Sequence, residues 1–401
     1  MIASEKPGNP FRFSIAEFSG SLADLGVMLP LVLAIISLNG MDATAAFVGI
    51  GLAYILTALV YRLPIPVQPL KSVSALALAL GLPPVMIVTG AIWNTVAFLG
   101  MGLAGVDRWI QMVFPKPVVR GIQVGLAYLL AKSAWKLVRT PNPAWDGGFN
   151  IANWVVVTWS ALLIAGALFF LLVLLKFQRE WAALGVIVFG VGISSVFQGI
   201  PTLNLHLTVP SLLPLIPNWG QLWQGLWLLA LPQIPLSLGN SVYATADAAH
   251  QYFGKRATHV TERKLMLTMG INDLVAAGLG GMPVCHGCGG LTAHYRLGAR
   301  SGGAPLMIGT IFLGLGLLGG QASMTILGII PFPILGTLLA YVGWQHLTLV
   351  RDLRGWRDIS TAAVVLVLTI LTGNMGIGFI SSAVYYHLWN WSQKRLALQT
   401  T

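Results

Sequence analysis

This chain of 401 residues is short of charge. Only 9% of it is Asp, Glu, Lys or Arg, where a soluble domain carries about 25%. Acidic residues are scarcest, 12 against 23 basic ones. Two cysteines, Cys285 and Cys288, are too few for a disulfide framework. No hydrophilic stretch is long enough for a separate soluble domain, and the first residues lack the apolar core and cleavage site of a signal peptide. These shortages exclude a soluble globular class and a disulfide-stapled scaffold. What fills the chain instead is apolar sequence, 56% hydrophobic with a mean hydropathy of +0.78. An all-α polytopic membrane protein is the class that remains.

The net charge of +11 would suit a nucleic-acid binder, but the basic residues cluster in short loops between apolar runs. No nucleic-acid partner is expected; the expected surroundings are a lipid bilayer. The apolar runs divide into about fourteen segments, several shorter than a full span of roughly 20 residues. Their limits are 15–37, 43–61, 64–81, 83–105, 117–138, 153–175, 181–199, 224–250, 265–281, 283–299, 304–322, 325–347, 359–373 and 375–393. With the N-terminus inside, all Lys and Arg except Lys71, Lys132, Lys136 and Arg139 fall at cytoplasmic ends, Arg108 and Arg179 among them. That bias predicts both termini in the cytoplasm and a multi-pass protein of the plasma (inner) membrane. Trp219, Trp223, Trp389 and Trp391 sit near segment ends, as interface anchors do.

An internal repeat organises the segments. Ser21-Leu22-Ala23-Asp24 matches Ser237-Leu238-Gly239-Asn240, Pro66-Val67 matches Pro283-Val284, and Pro115-Lys116-Pro117-Val118 matches Pro331-Phe332-Pro333-Ile334, all at nearly one offset. Glu17 falls opposite Gln233 at the same offset. The period is far too long for a solenoid unit, so the chain reads as a duplicated half. Seven segments per half is odd, so the second copy starts from the opposite side of the membrane and the copies are inverted. The expected division is 1–176 for the first repeat, 177–223 for its last segment and an extracellular connection, and 224–401 for the second repeat. Inverted repeats with breaks at corresponding places mark secondary transporters, with the site at the breaks.

The breaks are legible. "RLPIPVQPLKSVSALALALG" places three prolines, Gln68 and Lys71 where a membrane helix should run unbroken. Proline removes a donor and blocks the helix behind it, and every freed carbonyl must find a partner inside the protein. The stretch is expected to be a short strand followed by a half-length helix. "GMPVCHGCGGLTAHYRLGARSG" is its partner, glycine-rich where its helix begins. Two half-helices would aim their electropositive N-termini at one another and form an anion site.

Gln68, Lys71 and Ser72 flank the first half-helix; Cys285, His286, Gly287 and Cys288 flank the second. The first segment of each half adds Glu17, Ser21 and Asp24, and Gln233, Ser237 and Asn240. Glu17 and Asp24 are seven apart and share a helix face. Lys71 either meets an oxyanion or pairs with Asp24; both readings stand. His286 reads equally as a ligand contact or a packing residue, and His294 as interior packing. Asp247 and Asp273, near the cytoplasmic face, read as caps, gate pairs or coupling residues. Two cysteines and a histidine on one tight turn make a poor zinc site, so neither a metal nor another cofactor is expected.

These same stretches resemble the molybdate transporter family, a relative of the sulfate permeases that lacks their C-terminal cytoplasmic regulatory domain. The resemblance covers almost the whole chain. "PVQPLKSVSALAL", "PKPVVRGIQVGL", "LPQIPLSLGNSVYATADAAHQYFG" and "MPVCHGCGGLTAHYRLGARSGGAPL" carry it. It implies seven plus seven inverted segments split into a core (segments 1–4 and 8–11) and a gate (segments 5–7 and 12–14). It implies molybdate uptake, with substrate lined by Gln68, Lys71, Ser72, His286, Gly287 and Cys288, and by Asn240 and Thr245 from segment eight. A homodimer is also implied. Cys288 stands where a smaller residue is expected, and His294 and Leu297 where glutamine and phenylalanine are.

The expected mechanism is import by alternating access, as an elevator or by rocking. An inside-negative potential opposes a dianion by about 2.3 kcal/mol per charge per 100 mV, which calls for a coupled cation; Glu17, Asp24 or Asp247 would serve coupling or gating. Sulfate shares the charge and shape of molybdate and is the first alternative. A nucleobase–proton symporter would want a carboxylate where Gln233 and Asn240 stand, and an anion channel is a further alternative. An enzyme built on Cys285, Cys288 and His286 lacks a clear third member of a catalytic set, so no enzyme is expected.

Overall fold

A computed structural model describes residues 9–22, 25–105, 115–140, 148–152, 155–177, 182–199, 206–210 and 215–399. Asp24, Arg108 and Arg179 lie outside the described residues. Helices dominate. The first half holds α1 (Ile15–Leu22), α2 (Leu25–Asn39), α3 (Ala43–Tyr61), strand β1 (Gln68–Pro69), α4 (Lys71–Leu80), α5 (Pro84–Ala104) and α6 (Lys116–Arg139). A hairpin of β2 (Gly148–Ala152) and β3 (Val155–Thr158) leads into α7 (Trp159–Phe177) and α8 (Ala182–Gln198). The second half begins with α9, a helical run over 219–253, followed by α10 (Glu262–Leu279), β4 (Val284–Cys285) and α11 (Cys288–Arg296). It closes with α12 (Gly303–Gly328), α13 (Phe332–Thr348), α14 (Trp356–Thr372) and α15 (Met375–Gln399).

Local chemistry explains the ends. Asp42 caps α3 by accepting from Ala45 N at 2.6 Å. Pro115 and Pro331 precede α6 and α13, each with a proline in the first helical turn. Their missing N–H groups cost nothing there. Among the described residues three helices are long and apolar enough to cross a membrane alone: Ala43–Tyr61, Pro84–Ala104 and Trp159–Lys176. The others are shorter, more polar or interrupted.

Several segments differ from expectation. The stretch expected as 153–175 opens with strand β3 of the hairpin, because the β-branched run "VVVT" favours strand over helix. The one expected to end at 322 runs on to Gly328 as α12, and only the Pro331–Pro333 pair restarts a helix. Within α9, Leu226–Ala230 and Leu238–Tyr243 are wound as π-helix. Such bulges re-aim side chains and recur at functional sites.

The tightest helix pairs join the two halves: α3 packs on α12, α5 on α10 and α6 on α13. Lipid gives helices no hydrophobic reason to associate, so close packing of small residues must do it. A Cβ added at Gly51 would come within 2.7 Å of Leu313 N and 2.9 Å of Gly309 O, so α3 and α12 touch backbone to backbone. One buried hydrophobic cluster runs from Met28 to Ala383 and takes residues from both halves.

The two proline-broken stretches meet in the middle of this packing. β1 and β4 pair antiparallel, Gln68 opposite Cys285 and Pro69 opposite Val284, and Leu70 N donates to Pro283 O at 3.0 Å. Antiparallel pairing sends α4 and α11 away from the crossing in opposite directions.

Candidate functional site

The prolines of "PIPVQP" leave backbone carbonyls that no helix can use, and two histidines receive them. His294 Nδ1 lies 3.0 Å from Pro64 O, and His286 Nδ1 lies 3.0 Å from Pro66 O; both rings are fully buried. A carbonyl only accepts, so Nδ1 is the protonated nitrogen in each. Asp273, also fully buried, accepts from Val284 N at 2.7 Å and pins the second strand. It is neither a cap nor an ion-pair partner among the described residues; its backbone contact sits inside the crossing.

The two helix tips are not equivalent. Gln233 of α9 reaches α4, and its Oε1 accepts from Ser72 N at 2.9 Å and Val73 N at 3.3 Å. Its Nε2 donates to Ser237 Oγ at 2.8 Å, which orients the amide. Two donors at the tip of the first half-helix, Ser72 N and Val73 N, are thus satisfied from within. At α11 no side chain caps the helix, and no described residue accepts from Cys288 N or Gly289 N. Gly289 is exposed and a Cβ there would meet nothing within 4 Å. The second tip therefore keeps free donors and the positive end of its dipole.

Side chains gather around that tip. A Cβ at Gly287 would collide with the Gln68 amide, so the bare backbone lets Gln68 lie across the start of α11. Ser72 Oγ is fully buried without a hydrogen-bond partner. Lys71 is partly buried, has no ion-pair partner among the described residues, and lies within electrostatic reach of Cys288 and of His346 on α13. Thr245 donates from Oγ1 to His286 O at 2.8 Å, tying α9 to the second break. Cys285 is buried in the strand pair and Cys288 is partly buried at the tip.

Other expected residues stand elsewhere. Ser21 turns its hydroxyl to Phe18 O at 2.7 Å. Glu17 is buried, and its two oxygens accept from Arg300 N at 3.1 Å and Ser301 N at 3.3 Å, which fastens α1 to the start of α12. Asp247 is exposed on α9. His286 has both ring nitrogens engaged, since Nε2 lies 2.9 Å from Thr268 Oγ1.

A cavity of about 450 Å³ opens between α6 and the π-wound part of α9, lined by Lys116, Arg120, Gln123, Gly239 and Asn240 among others. Lys116 and Arg120 both bond Asp352, Arg120 with two nitrogens at 2.9 and 2.6 Å. Their bonds to Asp352 hold its carboxyl well below the usual carboxylate range. Sequence reading expected Asn240 between the half-helices, where the structure has it line this cavity, and missed Lys116, Arg120 and Gln123 as cavity residues. It placed Gln233 among the polar residues around the breaks and opposite Glu17 in the repeat, but nothing in the sequence showed that its amide caps α4.

Comparison with known proteins identifies the family and the fold. A family model described as molybdate transporter of MFS superfamily matches residues 16–130 and 225–345, more than half of the chain. Molybdate transporter 1 of Arabidopsis thaliana is 29% identical over 94% of this chain and 88% of its own length. Molybdate transporter 1 of Chlamydomonas reinhardtii is 28% identical over 92% and 90%. Among solved structures, the transmembrane domain of a cyanobacterium bicarbonate transporter, BicA, matches with TM-score 0.64 at 17% identity, covering 92% of this chain and 97% of that one. Murine Slc26a9, an anion transporter in the inward-facing state, matches with TM-score 0.67 at 15% identity, covering 98% and 70%. At such identities these two show a shared fold. The chain belongs to the family described as molybdate transporter of MFS superfamily, and is an integral membrane transporter rather than an enzyme.

Proposed function

We propose that this chain carries molybdate across a membrane as a secondary transporter working by alternating access. The observation that carries the reading is the uncapped α11 tip, with Lys71 within electrostatic reach of Cys288 there and the Ser72 hydroxyl buried without a partner at the start of α4. Free N–H groups, a helix dipole and one ammonium suit a tetrahedral dianion in a place poor in water. The names of the sequence relatives supply the oxyanion. Asn240, Thr245 and Gln68 complete the pocket, and the cavity beside Lys116 and Arg120 is its approach.

Seven plus seven inverted segments underlie this reading. The pairing of Gln68 with Cys285, its counterpart at the repeat offset, supports it, because a two-fold relation maps that pair onto itself. A core of segments 1–4 and 8–11 carries the tips, and a gate of segments 5–7 and 12–14 moves against it. Both termini face the cytoplasm. Moving a dianion inward against 100 mV costs about 4.6 kcal/mol, so a co-transported proton accompanies it.

Calorimetric titration of the purified protein with molybdate and with sulfate tests the assignment. Molybdate is expected to bind and sulfate to bind more weakly; equal affinities would remove the molybdate assignment, and no binding of either would remove the pocket.

A further inference from the structure

We propose that His286 is a proton-binding site of the transport cycle, filled as the anion binds; this rests on the anion-carrier reading above. Its ring can hold one proton or two without moving a heavy atom. Nδ1–H donates to Pro66 O at 3.0 Å in either state. Nε2 lies 2.9 Å from Thr268 Oγ1, and that hydroxyl has a choice of acceptor. With a neutral ring, Thr268 donates to Nε2. With a protonated ring, Nε2–H donates to Oγ1, and the hydroxyl turns to Lys264 O at 3.0 Å or Leu265 O at 3.2 Å on its own helix. Tyr61 OH, 2.7 Å from Oγ1, donates to it in both states. A hydroxyl offers one donor and two acceptor positions, so every group is satisfied before and after. A buried polar site built for a single protonation state would leave a donor facing a donor after the change.

The neighbours leave the extra charge unbalanced. Tyr61 presents its ring to the imidazole at 5.8 Å, edge to face, and His259 stacks on the Tyr61 ring. From α10, Asp273 is committed to Val284 N through one oxygen, while the other has no partner. From α9 come Thr245, bonded to His286 O, and Asp247; from α4 comes Lys71. Asp247 and Lys71 both reach Cys288 electrostatically. No described carboxylate bonds the His286 ring. The counter-charge is the anion itself, held at the α11 tip two residues further on. Anion and proton then raise each other's affinity by the same factor. One proton enters from solution as the dianion binds, the moving complex carries one negative charge, and the proton leaves with the anion on the far side.

The test is calorimetric titration of the purified full-length protein with molybdate in buffers of different ionisation enthalpy, which counts protons taken up per anion. Wild type should take up about one, with affinity falling about tenfold per pH unit once the free site is neutral. His286→Gln keeps a donor for Pro66 O and should bind molybdate with no proton uptake and no such slope. Thr268→Val, which removes the turning hydroxyl, should lose uptake with His286 in place, and Thr268→Ser should restore it. Asp273→Asn, the rival acid, should behave as wild type. The proposal is overturned if wild type binds molybdate without protons, if His286→Gln takes up as many as wild type, or if Asp273→Asn abolishes uptake. Failure of wild type to bind any oxyanion overturns the carrier reading, and this one with it; binding without proton uptake overturns this one alone.

Discussion

Replacing Gln233 by glutamate gives the sharpest test of where the anion sits. Gln233 Oε1 already accepts from Ser72 N and Val73 N, so a carboxylate keeps both bonds and adds a full charge. Taking the separation from a bound dianion as about 8 Å and the effective dielectric as about 20, the repulsion is about 332 × 2/(20 × 8), or roughly 4 kcal/mol. That is nearly a thousandfold in affinity; Lys71 beside the tip offsets part of it, so at least a hundredfold loss is expected. Gln233→Leu acts differently. It strands two buried N–H groups, costing about 1–3 kcal/mol each, and shows as a lower melting temperature rather than as charge repulsion. Molybdate titration of both variants, with melting curves, separates the two effects. If Gln233→Glu melts like wild type and binds molybdate within threefold of it, the anion does not sit at this crossing.

Lys71→Ala removes the one described cation beside the tip and should weaken molybdate binding by roughly 10- to 100-fold, the worth of a charged hydrogen bond; unchanged affinity at unchanged melting temperature would make Lys71 structural. Gly287→Ala should drive the Gln68 amide off the α11 tip and reduce affinity about tenfold by removing one hydrogen bond, with normal binding refuting that placement. Asp352→Asn frees Lys116 and Arg120 at the cavity. Lys116 and Asp352 are exposed and Arg120 partly so, so stability should change by about 1 kcal/mol or less, while initial uptake of molybdate should become more salt-dependent. The Asp352 carboxyl is depressed in the folded protein, so its contribution is complete at neutral pH and disappears as pH falls through that lowered range. Melting curves against pH should therefore show an acid-side loss in wild type that Asp352→Asn lacks.

Much of the fold was open to reading because local chemistry decides it. Proline cannot continue a helix, so the breaks at 64–69 and 283–287 were visible as strand followed by half-helix. The same rule located the α6 start, whereas the segment expected from 325 begins only at Phe332, after Pro331. The α7 segment was misread at its start, where apolar content hid a β-branched strand. The interrupted winding of α9 has no local signature, since π-bulges arise from how a helix is packed rather than from its composition. At the site, residue types near the breaks were legible, but their roles divided. Glu17 and Gln233 match at the offset read from the sequence, yet one fastens a loop and the other caps a half-helix.

By itself the sequence determined the membrane class and the two broken segments. Those follow from composition and proline, which act within a few residues. Only the tertiary structure decided which helix tip stays open. That depends on whether an acceptor from a distant part of the chain reaches the tip. Gln233 reaches α4 across 161 positions of sequence, and no described residue reaches α11. A backbone donor left unsatisfied is expensive in an apolar interior, so the partner it finds in space, rather than its neighbours in sequence, settles whether it is structure or site.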